Sequence, residues 1–287
     1  MVWRVNAGNS VGSELALLSG QAIEGVDLEA VLPPGRLIKA DEGEGEVSLW
    51  LSSTAPAVEL WTALYRLRGR TGLWPLLLAP LAHGKEFRPW ASGELFPEQF
   101  TSPEDHDPND VLEAWWQAYA ETDQDDQELP GGERGAVTAP YGRRWPGLAP
   151  NTTSQGEPGS FAIGYAQQLT GRLSSLRLGL AAARRGSDAL VSVGWSGPLN
   201  HTNDTAEIAS VVRGWEDRFG VRVVGVGFAD LYLSVSAPPS THQEALRIAA
   251  EHFAFCPDNI QQNNGPAILA SYAERLIGLN AWHFWWD

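Results

Sequence analysis

His252 and Cys256 stand four residues apart in the string His252-Phe253-Ala254-Phe255-Cys256-Pro257-Asp258-Asn259, with Glu251 just before it. A cysteine attacks as its thiolate, which needs a base or a positive field nearby. On one continuous helix His252 would face Cys256 and supply that base. Pro257 opposes this, because proline disfavours the helical conformation in the residue before it, here Cys256. The neighbours Phe253, Ala254 and Phe255 favour instead a cysteine buried as a small apolar side chain. Read as a metal site, the string offers His252, Cys256 and Asp258, with His283 as a fourth donor, a mixed set that suits zinc with an open position. That spacing matches no ligand motif, and His83, His106, His201 and His242 are scattered. Neither a metal nor any other cofactor is therefore expected.

Other catalytic signatures fail on their own terms. Gly225-Val226-Gly227-Phe228 begins like a dinucleotide loop, but position 230 is Asp and a strand follows where a helix is required. The glycines then fit a bulge or a close approach within a hairpin strand. Phosphate-binding loop, Gly-x-Ser-x-Gly elbow and His-Glu-x-x-His pair are all missing from the sequence. The oddest feature is the presence of 13 tryptophans. Trp61 and Trp215 fall on helical core faces. Trp282, Trp285 and Trp286 crowd with Phe284 into five residues, too many rings for one face of a strand, so some ring is expected at a rim or pocket. Asp258, Asn259 and Asp287 would add acidic and amide groups to such a surface.

The totals narrow the classes of partner. Of 287 residues, 43% are hydrophobic and 19% charged, which is ample material for a packed core. The formal charge is -15, a field that repels phosphate backbones, so nucleic acid is not an expected partner. Arg184-Arg185 and Arg143-Arg144 are too short as basic patches to override it. One cysteine excludes an intramolecular disulfide and a cysteine-ligated zinc cluster. The first residues lack the charged start and apolar run of a signal peptide, and Leu73 to Leu81 is the nearest approach to a membrane span. A cytoplasmic protein away from membranes is expected, and Asn151-Thr152-Thr153 carries no weight as a glycosylation site.

Elements must position these residues. In the N-terminal segment (1–122) Val47 to Leu51 alternates like a strand. Val58 to Leu67 has helical spacing with Gly69 as its C-cap, and Leu73 to Leu78 reads as a buried strand with Pro75 at its start or on an edge. Asp110 to Tyr119 is a helix capped by Asn109. Residues 123–158, with an acidic run from Asp123 to Glu128 that reads as a solvated loop, are rich in Asp, Gly and Pro and form a mobile linker. In the C-terminal domain (159–287) two capping boxes, Asp204 to Glu207 and Thr241 to Glu244, open helices. Ile208, Val211, Val212, Trp215 and Phe219 line one face of the first, which Gly220 ends. Strands at Val221 to Phe228 and Leu231 to Ala237, a helix from Ala267 to Ile277 and a strand from Trp282 to Trp286 complete an α-β-β-α-α-β order. The fold is α+β, a mostly antiparallel sheet with helices packed on one face, joined to an N-terminal α+β segment.

Four strings in this block carry a resemblance: Gly194-Trp195-Ser196-Gly197-Pro198-Leu199-Asn200, Trp215-Glu216-Asp217-Arg218-Phe219-Gly220, the His252 to Asn259 octapeptide, and Trp282-His283-Phe284-Trp285-Trp286-Asp287. From about Ala189 to Asp287 the chain resembles domain of unknown function 4253, a bacterial family common in actinomycetes. A looser likeness reaches back to Thr71-Gly72-Leu73-Trp74-Pro75-Leu76-Leu77-Leu78. The family has no established activity, so the resemblance implies no catalytic residue. Charge, aromatic excess and the missing catalytic set together point to a non-enzymatic module that binds a protein partner, in the manner of an immunity or accessory protein. The rival is a small-molecule binder or enzyme with a pocket near His252, Cys256 and Asp258.

Overall fold

The computed structural model describes residues 15, 18–19, 28, 32–81, 86–121, 135–173, 175–262 and 268–287. The acidic run from Asp123 to Glu128 lies outside them. In chain order come β1 (Gly35–Lys39), β2 (Val47–Ser52), α1 (Val58–Thr71), β3 (Leu73–Leu78), α2 (Pro108–Glu121), α3 (Pro158–Arg172), β4 (Arg177–Ala182) and α4 (Gly186–Ser192). There follow α5 (Thr205–Phe219), β5 (Arg222–Val226), β6 (Asp230–Ser234), α6 (His242–Phe255), the single turn α7 (Asp258–Gln261), α8 (Leu269–Leu276) and β7 (Ala281–Trp285). The strands form one 7-stranded sheet in the order β1-β2-β4-β3-β5-β6-β7. Every neighbouring pair is antiparallel except β3 with β5, which is parallel. The fold is α+β, with strands from both halves of the chain in the same sheet. Among the described residues no helix is long and apolar enough to cross a membrane.

Local chemistry explains most boundaries. Asp204 accepts from the Ala206 N–H at 3.0 Å, while Thr241 and Glu244 close a full reciprocal capping box. The helix that Asp204 opens buries the five residues of its apolar stripe and stops at Gly220. Three local expectations need correction. The first helix runs past Gly69 to Thr71, and Gly72, at φ 68, ends it in the left-handed conformation that glycine tolerates best. Asn109 is inside α2; Asp107 caps that helix, accepting from the N–H groups of Asn109 and Asp110 at 2.8 and 3.3 Å. Pro75 sits mid-strand in the interior of the sheet. It is tolerated because the pairing to β5 begins only at Leu77, so β4 alone lies beside it in register.

Helices α4, α5 and α6 lie over the face that carries Trp282 and Phe284, whose rings meet Trp215 of α5 at 5.5 and 5.4 Å. Within the C-terminal block, the helices thus share one side. The opposite face, with Tyr232 and Arg222, is covered by α3 and α1, which come from earlier in the chain. Of that layer α1 was legible in the sequence and α3 was not, because Gly159, Gly164 and Gly171 dilute its helical signal; Gly179 with its alanine neighbours likewise hid strand β4.

Part of the proposed linker is held down. Trp145 and Ala149 are buried, and the Ala149 N–H donates to Glu251 at 2.6 Å. Glu251 is fully buried on α6 and also accepts from Trp215 Nε1 and from both terminal nitrogens of Arg218, each at 2.7 Å. Bidentate pairing of this kind satisfies a buried carboxylate in full. Removing the partner would strand the Arg218 charge and the Trp215 donor in the interior. Glu251→Ala is expected to lower the unfolding free energy by about 3–5 kcal/mol in urea titration. A loss below about 1 kcal/mol would mean that the network holds little of the fold.

Candidate functional site

Helix α6 ends at Phe255, as Pro257 requires, and Cys256 takes the C-cap position at φ -154 and ψ 85. That turn separates the two side chains of the suspected dyad. His252 Nδ1 shares a hydrogen bond with the Tyr272 hydroxyl at 3.0 Å, while the ring packs among Trp282, Phe284 and Trp215 at 4.4, 4.8 and 5.1 Å. Among the described residues its Nε2 has no hydrogen-bond partner. Burial holds the imidazole pKa well below its ordinary range, so it stays neutral. The Cys256 thiol donates to the Trp285 carbonyl at 3.0 Å and to Asn259 Oδ1 at 3.4 Å, and burial pushes its pKa up to about 12. A neutral thiol held by two acceptors, with its imidazole turned away, is no nucleophile. Among the described residues no three His, Cys, Asp or Glu side chains gather to hold a metal ion.

The same residues do something else. Strand β7 is an edge of the sheet, and its outer side presents unpaired backbone groups. Asn259 acts as a one-residue strand: its Nδ2 donates to the His283 carbonyl at 2.7 Å and its Oδ1 accepts from the Trp285 N–H at 3.3 Å. The Cys256 thiol takes the Trp285 carbonyl that follows. Asp258 accepts from the Asp287 N–H at 3.2 Å, and Trp286 Nε1 donates to the Phe255 carbonyl at 3.3 Å. The octapeptide and the terminal aromatic string are therefore two halves of one clasp over the sheet edge. Trp282 and Trp286 are buried, Trp285 is half-buried, and Asp287 is exposed. His283 leans out, lying flat on Tyr232 with its Nε2 at 2.8 Å from Asp230.

A different place gathers apolar side chains and carboxylates around one concavity. Beyond the C-terminal ends of β3 and β5 lies an open crevice of about 530 Å³, whose walls include Leu81, Leu199, Phe228 and Trp286, with Asp230 and Asp287 at the rim. One wall is the loop after α4. Gly194 turns it at φ 73, close against Phe96 and Pro97 where a Cβ has no room. Trp195, fully buried, donates from Nε1 to the carbonyls of Gly227 and Phe228 at 3.0 and 3.1 Å, which ties that loop to the β5–β6 turn. Leu199 stands 49% exposed on it, and Asn200 hydrogen-bonds the Asp287 carbonyl. Gly225 in β5 serves the sheet: the register to β6 shifts between Val223 and Gly225, where a Cβ would press on Leu77 of β3. Here the Gly194 to Asn200 string meets the terminal Trp286-Asp287. Residues 177–287 match the family model of the Domain of unknown function (DUF4253).

No curated protein and no solved structure matches the chain. The DUF4253 match starts at Arg177, the first residue of β4, earlier than the Ala189 at which the resemblance becomes legible by eye. It includes β4 and β5 but not β3, the strand between them. The loose likeness at Thr71 to Leu78 falls on that strand. Sequence reasoning singled out the clasp and, of the crevice, only Trp286 and Asp287; Leu81, Leu199, Phe228 and Asp230 carry no catalytic spacing and meet only in the folded chain.

Two measurements follow. The native thiol should resist a disulfide-exchange reagent at pH 8 and react fully once the chain is denatured; prompt native reaction would contradict a buried, hydrogen-bonded Cys256. Residues 177–287 expressed alone should lack a cooperative unfolding transition, because β4 and β5 then face an empty strand position; a sharp two-state melt would refute that dependence on β3.

Proposed function

We propose that this protein is a non-enzymatic binding module, immunity-like or accessory in character, whose crevice beyond β3 and β5 receives a basic, partly apolar segment of a protein partner. The observation that carries this reading is the pairing of an exposed Leu199 with acidic Asp230 and Asp287 around one concavity. Exposed leucine beside a buried tryptophan offers an anchor for an aliphatic side chain, and flanking carboxylates favour a lysine or arginine next to it. The crevice sits where open sheets with parallel neighbours tend to bind, outside the carboxyl ends of the strands. The chain's formal charge of -15 would steer a cationic partner toward it and speed encounter at low salt. A catalytic reading of His252 and Cys256 has less support, since both are buried and committed to the clasp and its aromatic surroundings.

A photo-crosslinking residue placed at position 199 in the native host should capture one defined partner, and the same residue at Leu279, also exposed, should not. Leu199→Ala should weaken the purified complex by about tenfold. Equal capture at both positions, or none at 199, would remove this surface from consideration.

A further inference from the structure

The other end of the same two strands holds the opposite charge. Before β3 and β5 lies a cleft of about 250 Å³ that brings together Arg68 of α1, Arg184 and Arg185 after β4, and Arg222 of β5, with Glu216 and Asp217 of α5. Both carboxylates are spent on Arg185, through contacts of 2.7 Å from Glu216 and 2.6 Å from Asp217. Glu216 is further held by the Ser187 N–H and hydroxyl, each at 3.1 Å. Among the described residues, none of Arg68, Arg184 and Arg222 pairs with a carboxylate. Four arginines against two acids leave a charge of +2 in the cleft, within a chain whose formal charge is -15.

Like charges brought this close repel, so the arrangement calls for a counterpart. Tyr65 is no such counterpart. Arg68 lies 3.9 Å above its ring and Arg222 faces its hydroxyl, yet burial keeps that hydroxyl a neutral phenol, which offers no charge to offset them. Two of the free guanidinium groups are already oriented. Arg68 Nη1 donates to the Tyr65 carbonyl and Arg222 Nη1 to the Val221 carbonyl, both at 2.6 Å, which leaves their other N–H groups available. Arginine forks held in place match the oxygens of a phosphoryl group at little entropic cost. The cleft falls below the roughly 300 Å³ at which sites for drug-sized ligands begin, so its ligand is small.

We propose that this arginine cleft binds a phosphoryl dianion, either inorganic phosphate or the phosphate of a small monoester. The inference does not depend on the protein-binding crevice, which lies at the far end of the strands. Titration calorimetry on the full chain, with inorganic phosphate and with glycerol 3-phosphate at low chloride, tests it. Saturable one-to-one binding is expected, and tighter binding of the ester would assign a monoester, equal binding the free ion. Arg222→Gln and Arg184→Gln should each weaken binding by about tenfold, the worth of one charge-assisted pair. Arg184 is exposed, so its replacement leaves the fold intact, and the remote Arg275→Gln should leave affinity unchanged. No saturation by about 10 mM of either ligand, weaker than any specific site of this kind, would overturn the proposal. So would malonate binding as tightly as phosphate, or undiminished binding by the Arg184 and Arg222 variants.

Discussion

Parallel contact between β3 and β5 extends over two residue pairs, Leu77 with Gly225 and Leu78 with Val226, and the rest of the molecule is arranged around it. Parallel neighbours point the same way, so their starts and their ends each open on a common site. At the ends lies the acidic, leucine-bearing crevice; at the starts lies the arginine cleft. The contact also joins the two halves of the chain. β3 enters from the N-terminal half and divides β4 from β5, both of which belong to the DUF4253 match. Trp74 strengthens the junction where backbone pairing is missing, donating from Nε1 to the Val223 carbonyl at 3.0 Å.

Buried polarity follows a division of labour. Glu251 with Arg218 fastens an irregular segment to α5 and α6, and Glu216 with Arg185 fastens the start of α4 to α5. Both carboxylates are surrounded by donors, which is how a core tolerates them. His252 is handled differently: it is kept neutral, given one hydroxyl partner and enclosed by rings. The two buried carboxylates are thus accounted for by architecture.

Elements with strong local signals could be read from the sequence. The stripe and caps of α5, the capping box of α6 and the alternation of β6 all depend on residues within a turn or two of one another. Helix α3 and strand β4 escaped because glycine and alanine blur periodicity, and the place of Pro75 escaped because it depends on where a distant strand starts to pair. Burial of Cys256 was readable from its aromatic neighbours. Its partnership with Asn259 and Trp285 was not, since an amide imitating a strand leaves no mark on spacing. The arginine cleft was legible only as the pair Arg184-Arg185; Arg68 and Arg222 join it from elements more than a hundred residues apart in the chain.

The clasp over β7 has a consequence for how the protein tolerates change. An open sheet edge invites a strand from another copy, and repeated addition leads to fibres. Asn259 and Cys256 occupy the hydrogen-bonding groups that such a strand would need. Their loss would leave the interior rings in place, so the cost would surface as self-association of folded molecules more than as unfolding.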